Sequence, residues 1–360
     1  MIYAFGSNGS GQLGVGHTRD LSLPERSTCL GHGEGPNVRQ IAGGGNHALV
    51  LDSGGHVVAV GTNDSGQCSL EGVELAPTIS PPPDADAEQN GIAQVSATWN
   101  ASIYLRQDGK ILSTGEGLSG ELGLGKAVTT TSYPQSIPGF PPRATKIIQI
   151  ASCMAHSVAV LDNGDIYGWG KGSKGQLDDP SEDVWSPRKI ESIPFPAIKA
   201  VCGKDFTCIV GKAEEGELLV LGLRSRDRFG LVASTPAAVP GWKDVAASWG
   251  SVFVLKQNGE LIGFGRDDHG QLPPPDLPPV EAIAAGSEHC LALTKAGEVL
   301  AWGWGEHGNC GEPTDADGDV KGRWNEIEIP RSQRVTAVYA GCATSFIVTA
   351  GEAQQESEQG

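Results

Sequence analysis

Short apolar runs alternate with glycine-rich turns along the whole chain, and the runs recur in a fixed phase. Segments 41–51, 150–160 and 283–293 each begin with isoleucine and alanine, pass through four turn residues to a histidine, and end in a mostly apolar run. Weaker copies begin at Val95, Val201, Val245 and Val338. The position of His47 is taken in later copies by Ala101, His156, Thr207, Ser251, His289 and Thr344. Seven copies of one unit indicate a closed repeat fold.

A second motif accompanies the first, a glycine with another glycine five residues later. The pairs begin at Gly6, Gly61, Gly115, Gly170, Gly265 and Gly303. In the remaining copy Gly222 is followed by Asp227 in place of the second glycine, which marks that unit as irregular. Turn signals such as Asp108-Gly109 lie between the two motifs and predict hairpins. A proline near the expected fourth strand suits an outer edge, and it occurs at Pro24, Pro134, Pro187 and Pro236.

These units predict an all-β fold, a seven-bladed β-propeller with four-stranded antiparallel blades. The chain begins with a third-strand motif at residues 3–16 and ends with first- and second-strand motifs at residues 335–350. The two ends should therefore pair within one blade and close the ring, which removes a free sheet edge. We expect a single domain over residues 1–351 and a disordered acidic tail over residues 352–360. Segments 77–91, 273–279 and 312–334 are predicted to be loops.

The acidic charge of the chain restricts its partners. The sequence holds 43 acidic against 26 basic residues, a formal charge of −17, which disfavours binding to phosphate backbones. No apolar run is long enough to cross a membrane, and the N-terminus lacks the basic start and apolar run of a secretion signal. Eight scattered cysteines without a Cys-x-x-Cys pair favour a reducing compartment. We expect a cytoplasmic protein, with the nucleus as a second location, and neither nucleic acid nor membrane as a direct partner.

Repeats of the form Ile-Ala-x-Gly-x-x-His, together with Gly-Gln-Leu-Gly at residues 11–14, resemble those of the regulator-of-chromosome-condensation family. The resemblance covers essentially the whole chain and implies the propeller fold. The best-known member is a nucleotide exchange factor for the GTPase Ran, and a basic tail docks it on chromatin. The acidic composition of this chain argues against the chromatin-bound form of that role.

Residues 3–8, 38–42, 44–47, 203–206, 302–311 and 341–344 are similar to a subfamily of small fungal proteins described as alpha-tubulin suppressors or killer-toxin-insensitivity proteins. This resemblance implies a heterodimer with a small zinc- or iron-binding protein of diphthamide synthesis. The pair would support diphthamide modification of a translation elongation factor and tRNA wobble-uridine modification through the Elongator pathway. Elongator components would then be further partners.

Binding residues are expected on one face of the disc. Because strands in a blade alternate in direction, the first and third turns of each unit should emerge on the same side, and loops on a rigid scaffold often carry binding residues. Bulky apolar residues occupy such turns in four consecutive copies, and polar neighbours would supply a hydrogen-bonding rim. The predicted partner-binding residues are Trp99, Met154, Lys204, Asp205, Phe206, Trp249, Glu288, His289, Trp304, Glu306 and His307.

Packing is the competing interpretation for the bulky turn residues, because aromatic side chains near the axis can fold into the channel. Trp169 and Trp302 occupy the third-strand position and should be core. The recurrence of His47, His156 and His289 favours a structural hydrogen bond to a neighbouring turn. No carboxylate or thiol near these histidines has metal-ligand spacing, so we predict neither a metal site nor a cofactor.

No catalytic motif is present, because the glycine-rich turns lack the Gly-Lys-Ser/Thr ending of a phosphate loop and no Gly-x-Ser-x-Gly or His-Glu-x-x-His occurs. The leading hypothesis is a non-enzymatic scaffold that binds a small metal-carrying protein. The alternative is a guanine-nucleotide exchange factor for a Ran-like small GTPase. A hydrolase or lyase active in the channel is a third hypothesis and would need a cluster of polar side chains there.

Overall fold

A computed structural model of the chain describes residues 1–28, 38–68, 91–223, 226–330 and 332–350. The tail predicted for residues 352–360 lies outside the described residues, as does all but the last residue of the predicted loop 77–91. Within the described residues, no helix has the length and apolar character needed to cross a bilayer.

The described chain is built almost entirely of short strands. The first thirteen are β1 (Ile2–Gly6), β2 (Leu21–Arg26), β3 (Val38–Gly43), β4 (His47–Asp52), β5 (Val57–Gly61), β6 (Ile92–Ala97), β7 (Ala101–Arg106), β8 (Ile111–Glu116), β9 (Thr130–Ser136), β10 (Ile147–Cys153), β11 (His156–Leu161), β12 (Ile166–Gly170) and β13 (Val184–Lys189). Glycine turns and hairpins separate them, as the motifs predicted.

The second half of the chain continues the pattern and adds one short helix, α1 (Leu231–Ser234). Its strands are β14 (Lys199–Cys202), β15 (Phe206–Val210), β16 (Leu218–Gly222), β17 (Trp242–Ala247), β18 (Ser251–Lys256), β19 (Leu261–Gly265), β20 (Val280–Ala285), β21 (His289–Thr294), β22 (Val299–Trp304), β23 (Asp319–Glu326), β24 (Val335–Ala340) and β25 (Thr344–Thr349). The predicted loop 312–334 is thus wrong in its middle, where β23 forms.

The strands form seven antiparallel sheets, which confirms the predicted seven-bladed propeller. Blades 1 to 6 are β3–β5, β6–β9, β10–β13, β14–β16, β17–β19 and β20–β23. Blade 7 contains both chain ends, in the order β24-β25-β1-β2. Strand β1 pairs with β25 from Ile2 opposite Val348 to Gly6 opposite Thr344, which confirms the predicted ring closure.

Blades 2, 3, 6 and 7 have four strands, whereas blades 1, 4 and 5 have three among the described residues. The prediction of a fourth strand near Pro236 in blade 4 is wrong. There the segment after β16 forms α1, and only one isolated bridge, between Glu217 and Ala238, remains on the outer edge of the sheet. Asp227 stands where the regular motif has its second glycine, and its Oδ2 accepts a hydrogen bond from the backbone N–H of Ala233 in α1.

Apolar side chains from adjacent blades fill the space between the sheets. Trp169 and Trp302 are fully buried, as predicted, and Phe5 and Phe264 are buried at the same strand position. The indole of Trp169 donates to the Glu121 carbonyl at 3.0 Å, and that of Trp302 donates to the Gln271 carbonyl at 2.9 Å. Each tryptophan therefore fills an interblade layer while its one polar atom is satisfied.

The recurring histidines connect neighbouring blades. His47, His156 and His289 are buried, and Nε2 of each lies 3.0 Å from a hydroxyl on the next blade, those of Ser102, Thr207 and Ser345. Each hydroxyl donates its own proton to a carbonyl, that of Gln67, Gln176 or Asn309. The hydroxyl must therefore accept from Nε2–H, which places a proton on Nε2 of each ring. Burial lowers the pKa of each histidine to about 4 and keeps the ring neutral. The predicted structural role is confirmed, with a strand hydroxyl as the partner.

Candidate functional site

The first and third turns of every blade emerge on one side of the ring, which we call the turn face. In blade 1, His47 at the start of β4 pairs with Gly61 at the end of β5, so the turn before His47 and the turn after Gly61 are neighbours. The same pairing joins Phe206 to Gly222 in blade 4 and His289 to Gly303 in blade 6. The predicted common side for both turns is confirmed.

Backbone hydrogen bonds between the first turns link the blades around the mouth of the central channel. The N–H of Gly45 donates to the Trp99 carbonyl at 3.0 Å, and that of Trp99 donates to the Met154 carbonyl at 2.7 Å. Farther round the ring, the N–H of Lys204 donates to the Trp249 carbonyl at 3.0 Å. These bonds hold the turns rigidly, so side chains at this position have fixed places.

Trp99, Met154, Lys204 and Trp249 form a group at the channel mouth, which we call the mouth cluster. The indoles of Trp99 and Trp249 meet with ring centroids 6.0 Å apart, although they belong to blades 2 and 5. The ammonium of Lys204 lies 4.9 Å from the Trp249 ring centroid, a cation–π contact. All four residues are partly exposed. The prediction placed the tryptophans along an arc, whereas they meet at the centre.

Below the mouth cluster the channel holds a cavity of about 180 Å³. Its lining carries hydroxyls such as Ser152 and Ser248, and the thiols of Cys153, Cys202 and Cys342. Burial raises the pKa of Cys153 to about 12 and that of Cys342 to about 11, so these thiols are neutral. Among the described lining residues there is no carboxylate or imidazole that could serve as a general base for a hydroxyl.

A second group lies on the turn face of blades 5 and 6. Trp304 stacks on His269, with ring centroids 4.8 Å apart and an angle of 14° between the planes. Nδ1 of His269 lies 2.9 Å from Oδ1 of Asp319, which fixes the imidazole under the indole. Glu306 and His307 follow Trp304 in the same turn and are exposed. We call Trp304, Glu306 and His307, with the supporting His269, the rim cluster.

The mouth cluster and the rim cluster are continuous. The N–H of Trp249 donates to the Ser287 carbonyl at 2.9 Å, and the N–H of Trp304 donates to the carbonyl of the next residue, Glu288, at 2.9 Å. His307 extends the surface toward blade 7, because its Nδ1 lies 3.0 Å from Oδ2 of Asp20. A partner could therefore contact both clusters at once.

Two predicted rim carboxylates are buried and paired. Glu288 accepts hydrogen bonds from Arg266 at 2.6 Å and from Gln271 at 2.9 Å, and its burial raises the pKa of the carboxyl. Asp205 pairs in the same way with the guanidinium of Arg228. These pairs present the arginines to the surface and keep the carboxylates below it. The sequence analysis missed Arg266 and Arg228. Each lies in a third turn, whereas its carboxylate partner lies in a first turn, and the repeat pattern does not show that these two turns meet.

Phe206 and His289 are fully buried, so the prediction that they contact a partner is wrong. For Phe206 the cause is an error of one residue in the repeat alignment. Phe206, rather than Thr207, pairs with the motif glycine and takes the place of His47. Lys204 is then the residue equivalent to Trp99 and Trp249. The spacing of Gly203 to Phe206, which repeats that of Gly44 to His47, is the signal that could have shown it.

No group of three or more histidine, cysteine, aspartate or glutamate side chains suited to a metal ion occurs within the described part of the chain. The turn face instead offers partly exposed indoles, a lysine, arginines and the exposed residues Glu306 and His307. This composition suits contact with another protein, because interface centres are enriched in tryptophan and arginine.

Comparison with known proteins agrees with this fold. The family profile described as RCC1-like domain matches residues 1–348. An RCC1 repeat-containing protein of Schizosaccharomyces pombe is 29% identical to the chain, covering 97% of the chain and 98% of that protein. The secretion-regulating guanine nucleotide exchange factor of Mus musculus is 28% identical, covering 88% of the chain and 77% of that protein.

Among solved structures, Prp20p of Saccharomyces cerevisiae superimposes with a TM-score of 0.83 at 20% sequence identity. The superposition covers 99% of the chain and 93% of Prp20p, whose structure was described together with its binding to Gsp1p and histones. At this identity the likeness shows the propeller fold.

Proposed function

The chain belongs to the RCC1-like domain family, and from this premise we propose that it is a guanine-nucleotide exchange factor that binds a small GTPase with its turn face. The observation that carries the proposal is its similarity to the mouse secretion-regulating guanine nucleotide exchange factor over 88% of the chain. The comparisons favour this alternative over the predicted scaffold in diphthamide synthesis.

The turn face supports binding of a folded partner. Trp249 and Trp304 are partly exposed, and each is held by a neighbour, Lys204 in one case and His269 in the other. Because these indoles are already fixed, little side-chain entropy is lost when a partner covers them. Such preorganised aromatic residues commonly dominate the free energy of an interface.

An exchange factor makes and breaks no covalent bond. It accelerates release by binding the nucleotide-free GTPase more tightly than the nucleotide-bound form. The exposed carboxylate of Glu306, beside Trp304, would repel the phosphates of the nucleotide. It would also attract the lysine that cradles these phosphates in small GTPases. Glu306 is thus the residue we assign to destabilising the bound nucleotide, and Trp249 and Trp304 anchor the complex.

Release of a fluorescent GDP analogue from a Ran-like GTPase tests the proposal. We expect the chain to accelerate release, and Trp249→Ala or Trp304→Ala to weaken binding of the GTPase about 30-fold, corresponding to about 2 kcal/mol for an anchor. Glu306→Gln should slow release and should weaken binding of the nucleotide-free GTPase more than binding of the GDP-bound form, because the attraction to the lysine is lost and the repulsion of the phosphates is relieved. Trp324→Ala is the matched control, because Trp324 is a partly buried tryptophan on the outer strand β23.

No acceleration for any GTPase of a panel that includes Ran-like, Rab-like and Arf-like members would reject the exchange-factor function. Acceleration that Trp249→Ala and Trp304→Ala leave unchanged would retain the function and reject the turn face as its site.

A second candidate is the scaffold implied by the fungal subfamily resemblance, which includes residues 302–311. It is favoured by the position of Trp304, Glu306 and His307 on the turn face, because the repeat motif needs none of these three residue types to form its turn. Mixing the chain with a purified zinc- or iron-loaded protein of diphthamide synthesis tests it by size-exclusion chromatography. A stable complex that Trp304→Ala disrupts would support the scaffold, and two separate peaks would reject it.

A further inference from the structure

Among the described residues, the outer edge of the third strand of blade 4 has no partner strand. In the complete blade 3, β13 pairs with β12, and Gly168 lies opposite Arg188. Gly170 in blade 3 and Gly222 in blade 4 both pair with the first residue of the second strand, so they are equivalent. Counting back two residues from each gives Val220 the position of Gly168. Strand β15 pairs with the inner edge of β16. In the part of the chain that the structure describes, no strand pairs with its outer edge, where the only contact of this kind is the single bridge of Glu217 to Ala238. By this register the N–H and C=O of Val220 point outward.

The segment that would have formed the fourth strand contacts blade 5 instead. Helix α1 packs against β19, where the hydroxyl of Ser234 accepts a hydrogen bond from the N–H of Gly265 at 3.1 Å. Leu231 of the same helix is fully buried beside Gly265. Blade 5 also has three strands among the described residues, but the hydrogen bond from Gly265 to Ser234 satisfies an outward N–H of its third strand. Within the described residues, no side-chain hydrogen bond of this kind reaches Val220.

An apolar groove of about 610 Å³ runs along this edge. One wall is β16 and the other includes Val232, whose side chain is 51% exposed. The residues that line it and bear on its chemistry are Ser192, Leu219, Leu221, Leu223, Asp227 and Val232. The groove thus offers unpaired backbone groups beside pockets for apolar side chains, which are the two components of strand addition.

The fourth strands of the four-stranded blades protect their outer edges with proline or charge, and β16 has neither. Strands β2, β9 and β13 each contain a proline, and β23 contains Lys321 and Arg323. The sequence of β16 is Leu-Leu-Val-Leu-Gly, without proline or charge. An apolar edge without such protection tends to pair with another strand.

We propose that the edge of β16 is a binding site for an extended peptide of another protein, which adds to blade 4 as its fourth, antiparallel strand. This site is separate from the turn face and does not depend on the proposed exchange function.

Arg226 lines one end of the groove, and exposed carboxylates lie beyond the other end, past the bridge of Glu217 to Ala238; these charges define the peptide. At the hairpin that precedes β16, Glu214 and Glu215 are exposed and Glu217 is partly exposed, against the single cation Lys212. At the other end, after Gly222, Arg226 is exposed. A strand antiparallel to β16 would run from Arg226 toward the glutamates. The peptide should therefore carry a carboxylate near its N-terminal end, alternating β-branched residues in the middle, and lysine or arginine at its C-terminal end.

A fluorescein-labelled peptide, Glu-Thr-Val-Thr-Ile-Thr-Lys-Lys-amide, tests the site by fluorescence anisotropy. We expect saturable binding that Val220→Pro weakens at least about tenfold, because proline removes the outward N–H and is tolerated on an edge strand. Glu214→Gln with Glu215→Gln should weaken it about threefold at low salt and have less effect at high salt. Val232→Glu, in the exposed wall, gives a second test that leaves β16 intact.

Three controls sharpen the result. The same peptide with alternate amides N-methylated should not bind, and the peptide with its charged ends exchanged should bind about fivefold more weakly. Leu23→Glu, at an exposed apolar residue of the outer strand β2, should leave binding unchanged. The proposal is overturned if the peptide does not bind, or if both Val220→Pro and Val232→Glu bind it normally. It is also overturned if the chain forms dimers that Val220→Pro dissociates, because the occupant would then be a second copy.

Discussion

Blades 3 and 4 are neighbours built from the same repeat, and they differ at both ends of the unit. In blade 3 the third strand β12 is covered and four of its five residues are buried, whereas in blade 4 the first three of the five residues of β16 are partly exposed. In blade 3 the inner end holds His156, bonded to Thr207 of the next blade. In blade 4 the same position holds Phe206, packed in a cluster that includes Val252 of the next blade.

The comparison shows that the repeat conserves pairs of contacts and not single residues. A buried histidine requires a hydroxyl on the next blade, and the structure provides Ser102, Thr207 and Ser345 for the three histidines. The residue that follows Phe206 in this series is Val252, which offers no hydrogen bond. Replacing both partners of a buried polar pair by apolar groups costs little, whereas replacing one leaves an unpaired group.

The largest expected effect is the difference in the free energy of unfolding lost when a buried side chain is truncated in blade 3 and in blade 4. Trp169→Ala should lower the free energy of unfolding by about 4 kcal/mol, because it leaves a closed cavity and frees the Glu121 carbonyl. Leu221→Ala, at the same strand position in blade 4, should cost about 2 kcal/mol, because the groove beside it is already open. Guanidinium denaturation of both variants measures the difference. Equal losses would show that blade 4 is as closely packed as blade 3.

The next effect tests the pairing of residues across blades. Phe206→His should cost about 3 kcal/mol, because the new imidazole faces Val252 without a hydrogen-bond acceptor and the packing of the ring is lost. Adding Val252→Ser should recover about 1 kcal/mol by supplying the hydroxyl found in blade 3. Denaturation of the single and double variants completes a cycle with Val252→Ser alone. A coupling free energy near zero would mean that the two positions do not form a pair.

The sequence was sufficient to predict the ring, its closure and the buried tryptophans of the third strands. These features depend on the repeat phase and on strand alternation, both of which are local patterns. Phe206 was misplaced because the copy was aligned from Val201, one residue too late, and the spacing of Gly203 to Phe206, which the pairing of Phe206 with Gly222 supports, was not used. The contact between Trp99 and Trp249 depends on the width of the channel, which no spacing along the chain encodes.

Asp227 identified blade 4 as irregular in the sequence, but it did not show that a helix would replace the fourth strand. The proline pattern predicted a fourth strand at Pro236. This was wrong, because the pattern does not show whether the segment pairs with its own blade or contacts the next one. The choice is made by Leu231 and Ser234, which pack on β19. The burial of Glu288 and Asp205 was likewise unpredictable, since their partners Arg266 and Arg228 come from other turns.

A smaller effect concerns acid stability. Burial lowers the pKa of His156 to about 4, below the ordinary value of 6.5. Between these pH values the unfolded chain binds a proton that the folded chain does not, so stability is full above pH 6.5 and falls as the pH decreases toward 4. His47 and His289 have the same shift for the same cause. From pH 7.5 to 5, each histidine should therefore remove about 2 kcal/mol.

Replacing the His156–Thr207 pair of blade 3 by an apolar pair like that of Phe206 and Val252 measures the contribution of one histidine to the pH dependence of stability. His156→Phe with Thr207→Val should lose on the order of 1 kcal/mol at pH 7.5, because the Gln176 carbonyl loses its hydroxyl donor. The double variant should then lose about 2 kcal/mol less than the wild type on acidification to pH 5. Urea unfolding at both pH values provides the measurement. An unchanged dependence on pH would show that His156 is not the titrating group.

The smallest effect lies at the outer edges. Within the described residues Val220 has no partner strand on its outer side, whereas Gly168 pairs with Arg188. Amides of residues 218–222 should therefore exchange with deuterium faster than those of residues 166–170. Val220→Pro should change the free energy of unfolding by less than about 0.5 kcal/mol, the usual range for surface positions. Gly168→Pro should cost about 3 kcal/mol, because it removes a hydrogen bond of the ladder. Equal exchange in the two peptides, or a large cost of Val220→Pro, would mean that the edge of β16 is already paired within the chain. The binding site proposed there would then be occupied from within, and the two blades would differ in sequence while sharing one architecture.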